Sequence, residues 1–321
     1  MFADCRARQS VQSGVGGGRD LKPKIGFVGL GNIGAPLCRH LLERGYDLWV
    51  YDVRPQAMEK FGQTSAQLVS SLAELAAAVD VVILSLPDSA TVEDAIFAEN
   101  GLAEGLSAGK VLIDTSSSQP SSTRHIAEYL SERGIYMLDA PVSGGVLRAE
   151  QGTLAIIAGG EREIFDRHFE ILRSFGEQVF YVGDHGNGHL AKALNNLLSA
   201  TTLASAAEVV LLGARAGLDP EKLIEVVNAS SGRSNSTEVK FPRYILNRAF
   251  DDGFAIKLMS KDLKIALETA SELEFPTLIG SVIGQVWQAA VAQGFELESH
   301  TAIYAFLESL TEQQKVEDTE S

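Results

Sequence analysis

The sequence predicts an α/β protein, in which a doubly wound, mostly parallel sheet is followed by an all-α domain that one long interdomain helix joins to it. Three observations predict this architecture. Short apolar runs alternate with helical patterns over residues 24–185, as βα units require. A glycine-rich turn separates the first apolar run from the first helical stretch. From residue 186 onward we find only helical patterns, and the first of them, 186–212, would be about 40 Å long.

The size and charge of the chain limit what it can be. With 321 residues it is too long for one ordinary core, so two domains are expected. A net charge of −15 argues against nucleic acid and anionic membranes as partners, because a phosphate surface would repel the protein. There is no uninterrupted run of 18 apolar residues, so no membrane span is expected.

The cysteines and histidines exclude two kinds of site. Cys5 and Cys38 lie far apart in unlike contexts, which indicates a reducing compartment, the cytoplasm, and no disulfide framework. The six histidines form no HExxH pattern, so no metal site is predicted. A serine hydrolase is disfavoured as well, because no GxSxG turn is present.

The two ends of the chain differ from the rest in composition. Residues 1–23 are rich in glycine and basic side chains and have no apolar signal segment, so we expect a disordered extension there. Residues 311–321 are polar and acidic, and we expect a tail that frays. Between them we place a nucleotide-binding domain at 24–185 and a helical domain at 186–310.

The first βα unit carries a dinucleotide-binding pattern. A strand over 24–29 leads into the turn, a helix follows up to Gly45, and a second strand over 47–52 ends in an acid. The first glycine of the turn permits its tight bend, the second lets a pyrophosphate approach the backbone, and the third lets helix and strand pack closely. Free N–H groups at the helix N-terminus would bind the phosphates of a Rossmann-type cofactor. The turn consists of Gly29, Leu30, Gly31, Asn32, Ile33 and Gly34.

The acid at the end of the second strand favours NAD over NADP. Asp52 stands 23 residues after Gly29, where a carboxylate accepts from the ribose 2′-hydroxyl and would repel a 2′-phosphate. Arg54 could soften that preference, or it could be an ordinary surface arginine. NAD is therefore the predicted cofactor, with NADP as the alternative.

The strand–helix alternation continues to residue 182. Further strands are predicted over 79–86, 110–114, 135–139, 154–158 and 178–182, with helices near 91–98, 121–133 and 164–174. Ligands of doubly wound sheets bind beyond the carboxyl ends of the strands. The residues at those ends include Asp52, Pro87, Ser117 and Ser143.

The long helix that opens the all-α part carries unexpected polar residues. Lys192 and Asn196 are four residues apart and therefore share one helix face, which Asn195 flanks. Their surroundings are apolar on most sides, which predicts a largely buried helix. A buried lysine is suited to proton transfer, whereas an exposed one would be ordinary surface. Further helices are predicted over 220–229, 236–246, 256–273, 277–292 and 300–310.

Four segments resemble the β-hydroxyacid dehydrogenase family, which contains 3-hydroxyisobutyrate dehydrogenase and tartronate semialdehyde reductase. The resemblance spans roughly residues 24–310. The segments are GFVGLGNIGAPL at 26–37, DAPVSGGVLRAEQGTLAIIAGG at 139–160, GNGHLAKALNN at 186–196 and LMSKDLKIA at 258–266. This resemblance implies an NAD(P)-dependent oxidoreductase that interconverts a small β-hydroxyacid and its semialdehyde or keto form.

The resemblance also implies roles for individual residues. Lys192 would be the catalytic acid/base, with its pKa lowered from about 10.4 by burial or by neighbouring positive charge. Asn196 would orient the substrate. The carboxylate of the substrate would be held by Ser143, Gly144 and Gly145, and the nicotinamide half of the cofactor site would be lined by Leu86, Pro87 and Ser117. Lys261 would close over the cofactor from the helical domain.

Three residues leave the substrate and the tuning of the site open. Asn235 stands where 3-hydroxyisobutyrate dehydrogenases carry a tryptophan, which predicts a roomier or more polar pocket. Arg233 could contact a second carboxylate or pair on the surface. His189, three residues before Lys192, is expected to be structural, with tuning of the lysine pKa as the alternative.

Two other functions are compatible with the same fold. One is a dinucleotide sensor or scaffold that lost the chemistry; the other is an imine reductase, which typically lacks this lysine. The presence of Lys192 and Asn196 favours the dehydrogenase. The apolar surface expected on the small helical domain, together with the resemblance, predicts a homodimer or homotetramer.

Overall fold

The computed structural model describes residues 22–317 of the chain. The predicted N-terminal extension, except for its last two residues, lies outside the described part. One nine-stranded sheet dominates the first half of the molecule. Its strands are β1 (Ile25–Val28), β2 (Leu48–Tyr51), β3 (Gln67–Leu68), β4 (Val81–Leu84), β5 (Val111–Asp114), β6 (Tyr136–Asp139), β7 (Val142–Ser143), β8 (Leu154–Gly160) and β9 (Gly176–Tyr181).

The order of the strands is that of a doubly wound sheet with an antiparallel extension. It runs β3-β2-β1-β4-β5-β6-β8-β7, and β9 pairs with β8. The pairs from β3 to β6 are all parallel, whereas β8 is antiparallel to both β6 and β7. The predicted fold class is therefore confirmed, and the carboxyl ends of β1, β2, β4, β5 and β6 meet at one edge.

Helices cover both faces of the sheet. They are α1 (Gly34–Glu43), α2 (Pro55–Glu59), α3 (Leu72–Ala78), α4 (Ser89–Phe97), α5 (Leu102–Gly105), α6 (Pro120–Ser131), α7 (Gly145–Gln151) and α8 (Arg162–Leu172). In the fully buried strand β1, Phe27 lies in an apolar core with Leu37 of α1, and Val28 lies in a second core with Leu75 of α3. Side chains of neighbouring strand residues point to opposite faces, so the two cores lie on opposite sides of the sheet.

The elements that the sequence pattern missed are short. They are β3, β7, α2, α3, α5 and α7, of two to seven residues each. Segments of this length span too few periods to be recognised from hydrophobic spacing. Local chemistry nevertheless explains some of them, since Pro55 occupies the first turn of α2 and Ser71 caps α3 by accepting from the N–H of Glu74.

The second half of the molecule is helical throughout its described residues. Its elements are α9 (Asn187–Arg215), α10 (Pro220–Asn228), a π-helix (Ser236–Ile245), α11 (Ile256–Glu272), α12 (Leu278–Ala290), a π-helical turn (Val291–Phe295), a 3₁₀ turn (His300–Ala302) and α13 (Ile303–Glu317). Leu203, Phe241, Trp287 and Ile303 belong to its core. Helix α13 continues past Leu310, where the sequence analysis ended it, because TEQQKVE contains good helix formers and no Pro or Gly.

Helix α9 is the interdomain helix. It begins against the end of the sheet and then packs against α11, α12 and α13. Within residues 22–317, it is also the one helix long and apolar enough to cross a membrane, although the sequence contains no continuous apolar run of that length. Because α9 packs against both domains and buries polar residues on one face, we assign it as a helix that joins the two folded domains. Its other face is exposed, so the helix is less buried than the sequence predicted.

Candidate active site

The glycine-rich turn between β1 and α1 leaves room for a phosphate group. Gly29 has φ +94°, and a Cβ at Gly34 would lie 1.9 Å from the carbonyl oxygen of Gly29, so neither position accepts a side chain. At Gly31 the space above the backbone is open, and the nearest atom to a Cβ there would be Nη2 of Arg54 at 4.0 Å. No side chain caps the N-terminus of α1. These features fit the pyrophosphate of a dinucleotide.

Asp52 is tied to this turn. Its carboxylate accepts from the N–H of Leu30 at 2.8 Å and from the N–H of Arg54 at 2.8 Å. The guanidinium of Arg54 also donates to both carboxylate oxygens, at 3.1 Å each. Burial would raise the pKa of Asp52, but the hydrogen bonds from Arg54 and Leu30 outweigh it and lower the pKa. Asp52 and Arg54, which the sequence did not indicate as a pair, are therefore held together in the structure.

Lys261 of α11 joins the helical domain to the ends of β4 and β5. Its Nζ donates to the carbonyl oxygen of Pro87 at 2.7 Å and to that of Ser117 at 3.2 Å. Next to Pro87, the N–H of Leu86 donates to Oγ of Ser116 at 2.9 Å. Lys261, expected to close over the cofactor, therefore lies close to Leu86, Pro87 and Ser117, which were expected to line its nicotinamide half.

Lys192 is buried at the start of α9. Its side chain is on the face predicted from the sequence and the residue is 7 % exposed. Among residues 22–311, whose side chains the structure describes, its ammonium group has no hydrogen-bond or ion-pair partner. Burial lowers the pKa of Lys192; the carboxylate of Asp262 opposes this shift, and the charge of Lys261 adds to it. A lysine in this state is poised to exchange a proton.

Asn196 is held by an aspartate that the sequence analysis did not select. Its Nδ2 donates to Oδ2 of Asp262 at 2.6 Å, and both residues are buried. Asn195, by contrast, is exposed. Asp262 follows Lys261 directly in the KDL segment, but it lies 66 positions after Asn196, so the sequence does not indicate their contact.

The segment from Ser143 to Gly145 leaves the end of β7 and opens helix α7. Gly144 and Gly145 have φ +139° and +71°, and a Cβ added at Gly145 would meet no atom within 4 Å. The backbone at Gly145 is therefore open to a bound group. This segment lies near the start of α9. Just before it, the carbonyl oxygen of Pro141 accepts from the N–H of Ile157, and the carbonyl oxygen of Ile157 lies close to Gly188 of α9.

A buried cluster of Asp114, Asp139 and His189 anchors the start of α9. The two aspartates end adjacent strands in register. Asp139 accepts from the N–H of Gly186 at 2.9 Å and from the N–H of His189 at 3.1 Å. Nε2 of His189 lies 3.7 Å from Oδ2 of Asp114, and Nδ1 lies 2.7 Å from Oγ1 of Thr123. These contacts support the structural role expected for His189.

In the helical domain, two cationic residues differ in their burial. Arg233 pairs with Glu238 at 2.6 Å and its side chain is 60 % exposed, so it is a surface ion pair. Lys240, in the π-helix that Asn235 precedes, is instead buried, and its Nζ donates to Oγ of Ser199 at 2.9 Å. Burial lowers the pKa of Lys240 to about 8, although the charge of Asp252 opposes the shift. The sequence alone does not indicate a role for Lys240, because a single lysine in an amphipathic helix forms no recognisable pattern.

Comparison with known proteins identifies both halves of the chain. Residues 24–183 match the model of the NAD binding domain of 6-phosphogluconate dehydrogenase. Residues 186–307 match the model described as NAD-binding of NADP-dependent 3-hydroxyisobutyrate dehydrogenase.

Full-length relatives and a solved structure agree with these matches. The 2-(hydroxymethyl)glutarate dehydrogenase of Eubacterium barkeri is 36 % identical over 90 % of this chain and 96 % of its own length. Human mitochondrial 3-hydroxyisobutyrate dehydrogenase is 36 % identical over 89 % of this chain and 87 % of its own. The structure of Mycobacterium tuberculosis 3-hydroxyisobutyrate dehydrogenase with L-serine superimposes with a TM-score of 0.84 at 28 % identity, covering 89 % of this chain and 99 % of that one. The chain therefore belongs to the β-hydroxyacid dehydrogenase family, whose members are NAD(P)-dependent oxidoreductases acting on CH–OH groups.

Proposed function

We propose that this enzyme oxidises a small β-hydroxyacid reversibly, with Lys192 as its general acid/base. The observation that carries the proposal is a buried ammonium group with a lowered pKa and no partner in the described part of the chain. A lysine retained in this environment costs stability, which indicates a functional role. The identities of the relatives support the same class of substrate.

The reaction needs one proton transfer, to the protein in oxidation and from the protein in reduction. In oxidation, neutral Lys192 accepts the proton of the substrate hydroxyl; in reduction, its ammonium form donates a proton to the developing alkoxide. A bound nicotinamide supplies the hydride acceptor or donor. Burial lowers the pKa of Lys192 and so favours its neutral form; the carboxylate of Asp262 opposes this shift, and the charge of Lys261 adds to it.

The rest of the site would hold and orient the substrate. The hydroxyl of Ser143 and the exposed backbone of Gly144 and Gly145 suit a carboxylate, since no side chain of the two glycines stands in the way. Asn196, which Asp262 holds in place, would orient the reacting end of the substrate beside Lys192.

We propose that the cofactor lies between the turn at residues 29–34 and Lys261. The described residues fit a dinucleotide, because the open backbone of the turn suits its pyrophosphate. Leu86, Pro87 and Ser117 would line the nicotinamide half. Asp52 favours NAD, whereas Arg54, which lies above Gly31, could pair with the 2′-phosphate of NADP.

We further infer a homodimer or homotetramer. Leu194, Leu198 and Leu212 of α9 are 49 %, 66 % and 70 % exposed, and they lie on the side of the helix away from Lys192. Leu278 and Ile279 of the neighbouring helix α12 are 80 % and 69 % exposed. Exposed apolar side chains on two neighbouring helices suit contact with a second copy of the chain.

The remaining proposals concern the domains, the partners and the compartment. We propose the domain division given above, with the boundary just before α9. We expect small carboxylates, and neither nucleic acid nor membrane, as binding partners. Cys38 is a buried free thiol, which supports a reducing compartment such as the cytoplasm. The imine reductase alternative has less support, since the 36 % identical relatives are hydroxyacid dehydrogenases and this chain retains Lys192.

A spectrophotometric screen at about 340 nm tests the proposed function. Small β-hydroxyacids are offered with NAD and, separately, with NADP. We expect cofactor reduction with at least one acid, and a higher kcat/KM with NAD. If no acid is turned over while calorimetry shows dinucleotide binding, the sensor alternative replaces the dehydrogenase.

A further inference from the structure

Lys240 is a second buried cation in the helical domain, and the reaction described above does not use it. The residue is 9 % exposed, and its ammonium group can donate three hydrogen bonds. Among residues 22–311, whose side chains the structure describes, it makes only one, to the neutral hydroxyl of Ser199, and no carboxylate oxygen of these residues lies within 4.0 Å of it. A buried charge without an opposite charge is costly and is rarely kept without a ligand.

The nearest candidate counter-charge inside the protein is already engaged. Asp252 lowers the electrostatic cost of Lys240 from a distance. Its own oxygens, however, pair with Nδ1 of His300 at 2.8 Å, accept from Oγ of Ser299 and accept from the N–H of Phe254 at 3.4 Å. Asp252 therefore belongs to the His300 cluster and does not neutralise Lys240 directly.

The position of Lys240 relates it to the catalytic face of α9. Ser199, its partner, is seven residues after Lys192, which is two helical turns further along the same face and about 10 Å along the axis. The π-helix crosses α9 with Ser236 beside Thr202 and Lys240 beside Ser199. Successive turns of the π-helix therefore approach the Lys192 end of α9, and Lys240 is the buried lysine that this helix contributes next to α9.

We propose that Lys240 binds a second carboxylate of the substrate, so that the preferred substrates are β-hydroxy dicarboxylic acids. The inference rests on the proposed function, since it assumes that the reacting carbon lies beside Lys192 and Asn196. The axial distance of about 10 Å suits an acid with two to four carbon atoms between its reacting carbon and its second carboxylate. Binding would supply the counter-charge that Lys240 lacks. The lowered pKa of about 8 agrees with this arrangement, because an ammonium group without a counter-charge is what a bound carboxylate would stabilise.

The test compares three 3-hydroxypropanoates that differ only in the group at C2. One carries a 2-carboxyethyl group, the second its uncharged amide, 2-carbamoylethyl, and the third a methyl group. The wild-type enzyme is expected to prefer the acid over the amide by about 10- to 100-fold in kcat/KM, the range of a hydrogen bond between charged groups. In Lys240→Met this ratio is expected to fall to about 1, mainly through KM. Lys240→Arg should keep a preference for the acid.

Two controls make the test specific. Lys222→Met removes an exposed lysine that pairs with Glu225 on α10, and it should keep the wild-type ratio. The wild-type ratio itself needs no variant, so a ratio near 1 overturns the proposal even if Lys240→Met does not fold. An unchanged ratio in folded Lys240→Met also overturns it. If none of the three compounds is turned over, the proposed function itself is rejected.

Discussion

At the scale of single residues, the candidate site places charges of opposite sign around Lys192. Lys192 has no hydrogen-bond or ion-pair partner among the side chains that the structure describes; burial lowers its pKa, Asp262 opposes this shift and Lys261 adds to it. Asp262 also fixes Asn196 through a hydrogen bond of 2.6 Å. One carboxylate therefore holds Asn196, the proposed substrate orienter, and also influences the protonation of Lys192, the proposed base.

Replacing Asp262 should change the pH dependence of the reaction. In Asp262→Asn, the loss of negative charge should lower the pKa of Lys192 further. Oxidation needs the neutral amine, so the rising limb of log(kcat/KM) against pH should move to lower pH. We also expect kcat/KM at the plateau to fall about 10-fold, because Asn196 loses its charged acceptor.

The control for this variant is Asp251→Asn, which neutralises an exposed carboxylate of the same domain. It should leave the pH profile in place. A rising limb that moves to higher pH in Asp262→Asn would contradict the electrostatic role of Asp262.

The sequence predicted the residues that lie in contiguous motifs and missed those defined by distant contacts. Lys192 and Asn196 are recognisable because their spacing puts them on one helix face. Lys240 has no such signal, since its partner Ser199 lies 41 residues earlier. The pairing of Asp52 with Arg54 is local, but its geometry depends on rotamers that a sequence does not specify.

At the scale of secondary structure, long elements were predictable and their irregularities were not. Each predicted strand and helix is present, because hydrophobic periodicity extends over several turns or alternations. Their ends are shifted by a few residues, except that α13 continues seven residues past the predicted end at 310. The helix predicted over 236–246 is instead a π-helix over Ser236–Ile245. Pro242 lies inside it and lacks an N–H, and the N–H of Leu246 donates to Phe241, five residues back.

The π-helix carries Lys240, whose burial should cost stability. Its pKa is about 8 in the folded protein and 10.5 as the reference value. Between about pH 8 and 10.5 the unfolded chain therefore binds more protons than the folded protein. The buried charge lowers the free energy of unfolding by its full amount below pH 8, and this loss of stability disappears above pH 10.5. Lys240→Met removes the buried charge but also the hydrogen bond to Ser199. The net effect should be a free energy of unfolding that is higher by about 2 kcal/mol at pH 7.

Urea unfolding at pH 7 and at pH 10.5 measures this effect. The gain of Lys240→Met over the wild type should shrink at the higher pH. A variant that is less stable than the wild type at pH 7 would show that Lys240 serves the fold and would remove the argument for a ligand.

At the scale of the whole molecule, helix α9 has two different faces. One carries Lys192, Asn196 and Ser199 between the domains, and the other exposes Leu194, Leu198 and Leu212. The high average hydropathy of α9 arises from the exposed apolar side as well as from its contact with the helical core. A subunit interface would explain why a helix of this composition remains apolar on its exposed side.

A charge on the exposed side of α9 should therefore weaken the oligomer. Leu212→Glu places a carboxylate where an apolar surface of the partner is expected, so it should shift the protein toward the monomer. Leu68→Glu, at the sheet edge, is the matched control and should not. Sedimentation velocity distinguishes the two. A wild-type protein that is monomeric at all concentrations would reject the oligomer.

The general-base role of Lys192 is the central claim, and one pair of measurements on Lys192→Ala tests it most directly. Turnover is followed by absorbance with the best substrate of the wild type, and dinucleotide binding is followed by calorimetry. We predict that kcat falls by about 10²- to 10⁴-fold while the Kd of the dinucleotide changes by less than about 3-fold, because the lysine moves a proton and does not hold the cofactor. A Lys192→Ala enzyme that binds the cofactor and keeps near-wild-type turnover would contradict the mechanism.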